Sequence, residues 1–200
     1  MKAIILLNGE PYRSAIDASS ARVWCCDGAY DWAKGKVRID ENLGDYDSLS
    51  YMPDPPPAEV YPSEKNDTDG ELALMRAIEA GADEIEFYGG GGGREDHFIG
   101  NLHLLYAALR RRVRARMITN YACIFAATGD VVIEGKKGST LSIVPFGGEV
   151  HIMESGGFYY PLPKRFVYGS TLGISNVVTE ERAFFRAEGV VLVLIDAAAV

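Results

Sequence analysis

Arg94, Asp96 and His97 directly follow five consecutive glycines, Gly89 to Gly93, and that combination suits anion chemistry. A run without Cβ atoms lets main-chain N–H groups approach a phosphate closely, and a helix starting just after it adds a favourable dipole. Arg94 offers a planar fork for phosphate oxygens, and Asp96 is a carboxylate within reach of a metal ion or a substrate hydroxyl. Neither standard phosphate loop is present. No Lys-Ser/Thr pair follows the glycines, and Arg94 stands where a dinucleotide fingerprint needs glycine. A flexible surface loop carrying a solvated arginine and aspartate is the plain alternative.

Other acids recur at positions that invite the same chemistry. Asp27-Gly28 closes an apolar run, Val23 to Cys26, and the C-terminal end of a buried strand is where open α/β sheets bind ligands. A turn or helix N-cap would also explain Asp27. Asp45 and Asp47 lie two apart in Gly44-Asp-Tyr-Asp-Ser48, so in an extended segment both carboxylates point to one side. Such a pair repels itself unless a cation intervenes, and oxygen ligands select a hard ion such as Mg2+. An ion-free turn is the alternative there. Thr68 and Glu71 have capping-box spacing, which accounts for one acid but not for Lys65, Asp67 and Asp69 together. Asp69 is a further metal candidate.

These residues need a scaffold. Ala3 to Leu7 and Val23 to Cys26 are continuous apolar runs, as in strands buried on both faces of a parallel sheet, and Ile85 to Tyr88 is a third strand. Leu72, Met75, Ala77 and Ile78 predict a helix from about Glu71 to Ala80, ended by Gly81. Phe98, Leu102, Leu105 and Leu109 predict another from His97 onward, with the five arginines from Arg110 to Arg116 at its C-terminal end. After Arg116 only short β-rich runs follow, punctuated by glycine and proline: Met117 to Thr128, Val131 to Glu134, Ser139 to Val144, Glu149 to Met153, Val177 to Thr179, Ala183 to Ala187 and Val190 to Ile195. The expected fold is an α/β N-terminal domain, a mostly parallel sheet flanked by helices, over residues 1–117. An all-β C-terminal sandwich over 118–200 completes it. Within that second half, Gly156 to Leu162 and the Ser175-Asn176 pair could hold a flat heteroaromatic ring, although hairpin turns and core aromatics would give the same pattern.

Composition narrows the function classes. The chain has 200 residues, 48% of them hydrophobic, and a formal charge of −8, which argues against a nucleic-acid or anionic-membrane surface. Three cysteines, two adjacent, form neither a disulfide framework nor a zinc-ligand spacing, and buried thiols in a reducing cytoplasm account for them. No segment approaches the about 20 apolar residues that span a bilayer. A cytoplasmic protein is expected.

Four features occur in one order: Asp27-Gly28, Gly44-Asp-x-Asp47-Ser48, Thr68-Asp69-x-Glu71-x-Ala73-Leu74 and Gly92-Gly93-Arg94-x-Asp96-His97. With Gly173-Ile-Ser175-Asn176 they make nearly the whole chain resemble the thiamine pyrophosphokinase family. The resemblance implies a homodimer with active sites between subunits. It also implies Mg2+-dependent transfer of a diphosphoryl group from ATP to the hydroxyl of thiamine, with release of AMP. By that resemblance Asp45, Asp47, Asp69 and Asp96 organise Mg2+, with Asp69, Asp96 and Arg94 closest to the chemistry. Asp27, Gly28, Lys65, Thr68, Gly92, Gly93, Arg94 and His97 fall in its nucleotide-contacting segments. Ser175 and Asn176 fall near the thiamine ring. The chain departs from the family at Ala29-Tyr30-Asp31, where Gly-Ala-Asn is common, and at Asn66, where aspartate is usual. A diphosphokinase for another heteroaromatic alcohol, such as a pterin, and a non-catalytic nucleotide or thiamine binder are the competing readings.

Overall fold

The computed structural model describes residues 1–45, 51–57 and 66–197. Asp47 and Lys65, both expected in the site, lie outside the described residues. The chain divides into two compact units, Met1–Asn120 and Tyr121–Val200.

In the first unit the apolar runs become β1 (Lys2–Leu6), β2 (Ala21–Cys26), β3 (Glu41–Leu43), β4 (Glu84–Tyr88) and β5 (Arg114–Ile118). All pair in parallel, in the order β5-β4-β1-β2-β3. Three helices connect them: α1 (Ala29–Ala33), α2 (Asp69–Glu79) and α3 (Glu95–Arg110). Alternation along β1 turns Ile4 and Leu6 toward Ala29, Tyr30 and Ala33 of α1. Leu7 points the other way, toward Gly70 of α2 and Leu104 of α3. The strand order runs outward from β1 in both directions, so the sheet changes winding direction between β1 and β4, the point at which open α/β sheets bind ligands.

Helix α2 starts as its capping box directs. The Thr68 hydroxyl accepts from the Glu71 N–H at 3.2 Å, and Gly81, at φ +90°, ends the helix. Helix α3 begins two residues before His97 and buries Leu104, Leu105 and Ala108, leaving Phe98, Leu102 and Leu109 half-buried. The arginine cluster is divided. Arg110 and the cap residue Arg111 close the helix, Arg112 takes a left-handed turn at φ +60°, and Arg114 and Arg116 belong to β5. They are there because β4 supplies partners: Arg114 meets Glu84, and Arg116 meets the buried Glu86, which also takes Lys2 at 3.0 Å. Helix α1 and strand β3 have no sequence periodicity long enough to reveal them.

The second unit is antiparallel: β6 (Ala122–Glu134), β7 (Thr140–Pro145), β8 (Val150–Gly156), β9 (Arg165–Phe166), β10 (Asn176–Val177) and β11 (Arg182–Asp196). The first half of β11 pairs with β8, the second half with β7, and β6 runs beside both. A register shift between Ala187 and Val191 bends β11 there, with Gly189 at φ +104°. One strand thus contributes to both layers, around a core that includes Ile133, Ile143, Ile152, Phe166, Phe185 and Val193. The two runs read as separate strands around Glu188-Gly189 are one strand carrying a bulge. Likewise β6 passes straight through Gly129.

Candidate active site

The C-terminal ends of β1 and β4 are bound together by main-chain hydrogen bonds beyond the strands themselves. The Leu7 N–H donates to Tyr88 O (2.8 Å), Gly9 N–H to Gly89 O (2.8 Å) and Glu10 N–H to Gly91 O (2.6 Å). The side chain of Asn101 on α3 donates to Gly90 O at 2.9 Å. Three successive carbonyls of the glycine run are therefore occupied, which fixes its path. Close approach explains why glycine is needed on both sides. A Cβ on Gly9 would lie 2.5 Å from Gly89 O and 2.6 Å from Gly91 O. Trp32 closes the same junction by donating its indole N–H to Leu7 O at 3.1 Å.

The acids assemble around this frame from neighbouring strand ends. Asp27, directly after β2, donates its N–H to Leu43 O at 2.7 Å, so Gly44 and Asp45, directly after β3, lie beside it. Gly28 faces the Asn8 side chain, and a Cβ there would come within 2.4 Å of the Asn8 amide nitrogen. Cys26 Sγ lies 3.5 Å from the Asp69 carbonyl oxygen, which places the first turn of α2 at the same edge. Asp27, Asp45 and Asp69 are half-buried there. Thr68 is an exposed helix cap whose hydroxyl is already engaged with Glu71.

Gly92, Gly93, Arg94, Asp96 and His97 are exposed at the start of α3. Arg94 grips Asp96 through two contacts, Nε to Oδ1 at 3.1 Å and a terminal nitrogen to Oδ2 at 2.6 Å. The Arg94 bond holds the Asp96 carboxyl below the usual carboxylate range and pushes the guanidinium up in return. Among the described residues, no group of three His, Cys, Asp or Glu side chains closes a metal site. The donor chemistry at this edge is nevertheless carboxylate oxygen, which fits a hard divalent ion. The nearby Cys25 is no rival ligand. Burial, with the charge of Asp27, pushes its thiol far up, so it stays protonated.

The departures at Ala29-Tyr30-Asp31 serve a local purpose. The Tyr30 hydroxyl accepts from the Asp54 N–H at 3.1 Å, the Tyr51 hydroxyl donates to Asp31, and Lys34 bonds the same carboxylate at 3.2 Å. Asn42 donates to Pro55 O at 2.7 Å. Tyr51 to Pro55, the segment that follows the Asp45–Asp47 acids in sequence, is thus anchored to α1 and β3.

In the second unit, Ser175 is exposed at φ +60°, and its N–H donates to Ser142 Oγ at 3.1 Å. Asn176 is buried and turned inward. Its Oδ1 accepts from the Tyr160 N–H (2.9 Å) and the Val177 N–H (2.8 Å), while its Nδ2 donates to Tyr160 O (2.7 Å). That clasp presents Tyr159 and Tyr160 as exposed rings 4.9 Å apart at near right angles.

Sequence reasoning did not single out Asn8, Gly9, Glu10, Asn101 or Asn120. The available signal was Asn8-Gly9 immediately after a fully apolar strand, the same context that drew attention to Asp27-Gly28.

Comparison with known proteins gives this site its context. The family model "Thiamin pyrophosphokinase, catalytic domain" matches residues 12–117, and "Thiamin pyrophosphokinase, vitamin B1 binding domain" matches residues 130–191. Thiamine pyrophosphokinase of Bacillus subtilis is 35% identical over 165 residues, 77% of each chain. The crystal structure of the Bacillus subtilis enzyme superposes with a TM-score of 0.84 at 28% identity, covering 98% of both chains. That of the Geobacillus thermodenitrificans protein superposes at 0.80 and 24% identity over the whole of both, a likeness of fold.

Proposed function

The chain belongs to the thiamin pyrophosphokinase family, and we propose that its strand-end carboxylates, Arg94 and glycine loop carry out Mg2+-dependent transfer of a diphosphoryl group from ATP to thiamine. The hydroxyl oxygen of thiamine forms a bond to the β-phosphorus, the bond linking the β-phosphorus to the α-phosphate oxygen breaks, AMP departs and the hydroxyl proton is released. Such a transfer requires neutralised charge and in-line oxygens more than covalent help. The observation that carries this reading is the glycine loop at the C-terminal ends of β1 and β4, locked by the N–H groups of Gly9 and Glu10 and the side chain of Asn101.

The residues divide the work. Gly92, Gly93, Arg94 and the first turn of α3, with His97, receive the phosphates. Asp27, Gly28, Thr68 and Lys65 border the nucleotide. Asp45, Asp47, Asp69 and Asp96 would hold Mg2+, which supplies charge neutralisation on the phosphoryl oxygens when bound. Asp69 or Asp96 would be the carboxylate nearest the hydroxyl and would accept its proton. The first unit is then the ATP and Mg2+ domain. The second binds thiamine and makes the homodimer, with Ser175 and the tyrosine pair clasped by Asn176 at the ring. The match to a vitamin B1 binding domain favours thiamine over a pterin. Among the described residues no helix is long and apolar enough to cross a membrane. Three free, buried cysteines suit a reducing compartment, and on that ground we place the enzyme in the cytoplasm.

The residue-level test is Asp96→Asn, which keeps the shape and removes the charge. Turnover falls by about 100-fold or more if Asp96 acts on the transition state. Near-normal turnover would remove it from the mechanism.

A further inference from the structure

We infer that Arg13 is a second polyphosphate-binding arginine of this site, held at rest by Glu10, an assignment that rests on the proposed ATP site. The segment Glu10 to Arg13 lies against the glycine loop and is pinned at three points. The Glu10 N–H donates to Gly91 O at 2.6 Å, the Arg13 N–H to Asn120 Oδ1 at 3.0 Å, and Asn120 Nδ2 to Pro11 O at 3.1 Å. The Tyr12 ring packs on Tyr88 with centroids 4.9 Å apart. Glu10 and Tyr12 lie close against Gly89, Gly91, Thr119 and Asn120, with no room for a water molecule between them. The backbone that carries Arg13 is therefore anchored to the ends of both β4 and β5.

The carboxylate of Glu10 lies over the loop. One oxygen would be 3.2 Å from a Cβ on Gly92, and the other binds a terminal nitrogen of Arg13 at 2.7 Å. The guanidinium thus sits one carboxylate's width from Gly92, and its side chain is 69% exposed. Arg94, directly after the glycines, is arranged alike, gripping Asp96 two residues away. Two arginines lie beside the same glycines, each paired with a carboxylate close by in sequence. Ion pairs exposed to water are weak, so a polyphosphate bearing several charges can displace either carboxylate and take the fork it held. Glu10 then neutralises Arg13 until a polyphosphate takes its place.

The test is equilibrium binding, which does not depend on the acceptor. The α,β-methylene analogue of ATP with Mg2+ and, separately, adenosine are titrated into the full-length protein and its variants. R13Q weakens the analogue about tenfold, the loss of one charge-assisted contact, and leaves adenosine unchanged. R13K recovers part of the loss, because a point charge replaces a fork. E10Q binds the analogue as tightly as the wild type or more tightly. Thermal melting checks that each variant is folded. Analogue affinity within twofold of wild type in R13Q, or an equal loss for adenosine, overturns the assignment. If the wild type binds no analogue at all, the ATP site itself is refuted, and that result is distinct from wild-type binding that R13Q retains.

Discussion

Gly9→Ala is the substitution that most directly probes the junction between β1 and the glycine loop. Its new methyl group would meet two main-chain carbonyl oxygens, at 2.5 and 2.6 Å, where ordinary contact begins near 3.4 Å. The two strand ends must therefore separate by about 0.9 Å, and both atoms are backbone, so no side chain can rotate away. Separation also stretches the Gly9–Gly89 and Glu10–Gly91 hydrogen bonds. Overpacking of this kind destabilises by roughly 1–3 kcal/mol, and a shift of about 1 Å in a positioning element lowers catalysis by about 100-fold. The assay is steady-state AMP formation over a range of ATP concentrations, with thermal melting alongside. The expected result is a fall of about 100-fold in kcat/KM for ATP, with the melting temperature lowered by a few degrees. Gly100→Ala is the control, since a Cβ on that exposed α3 residue meets nothing within 4 Å. It leaves activity intact and stabilises by about 0.5–1 kcal/mol. A Gly9→Ala enzyme within threefold of wild type would refute the claim that this junction sets the geometry of the loop.

Glu86 gives a pH test. Burial alone would raise its carboxyl, but hydrogen bonds and charge from Arg116 and Lys2 outweigh it and hold the group below the unfolded value of 4.5. A depressed carboxylate contributes stability that is fully present above about pH 4.5 and is lost as pH falls through the folded value. The melting temperature of the wild type thus drops more steeply below pH 4.5 than that of Glu86→Gln, and parallel profiles would contradict this. At pH 7 that variant is less stable by about 2–3 kcal/mol in denaturant unfolding. This is the scale of charged hydrogen bonds rather than of a stranded ion, because Lys2 and Arg116 still reach solvent. Asn176→Ala releases Tyr160 and raises the KM for thiamine about tenfold while leaving the KM for ATP unchanged. An equal rise in both would mean that the clasp only supports the fold.

Much of this arrangement could be read from the chain because local and global signals agree. Apolar runs ending in Asp-Gly or in glycines mark parallel strands, and Thr68 and Glu71 announce the helix that brings Asp69 to their C-terminal edge. Other features depend on partners distant in sequence. Arg114 and Arg116 look like a helix end until Glu84 and Glu86 appear on the adjacent strand. Glu188-Gly189 looks like a turn until Ala187 to Val191 is seen as a bulge between two pairing partners. Asn176 reads as a ligand for a ring, whereas its amide bonds the main chain of Tyr160. Glu10, Asn101 and Asn120 have no local signature, because their roles are hydrogen bonds across 11 to 109 residues of sequence.

The most direct test is to incubate the purified protein with ATP, thiamine and Mg2+ and quantify every nucleotide and thiamine product. The account predicts AMP and thiamine diphosphate in equal amounts, no ADP, and loss of both products when EDTA removes the metal. ADP accompanied by thiamine monophosphate, or AMP formed without thiamine diphosphate, would contradict it.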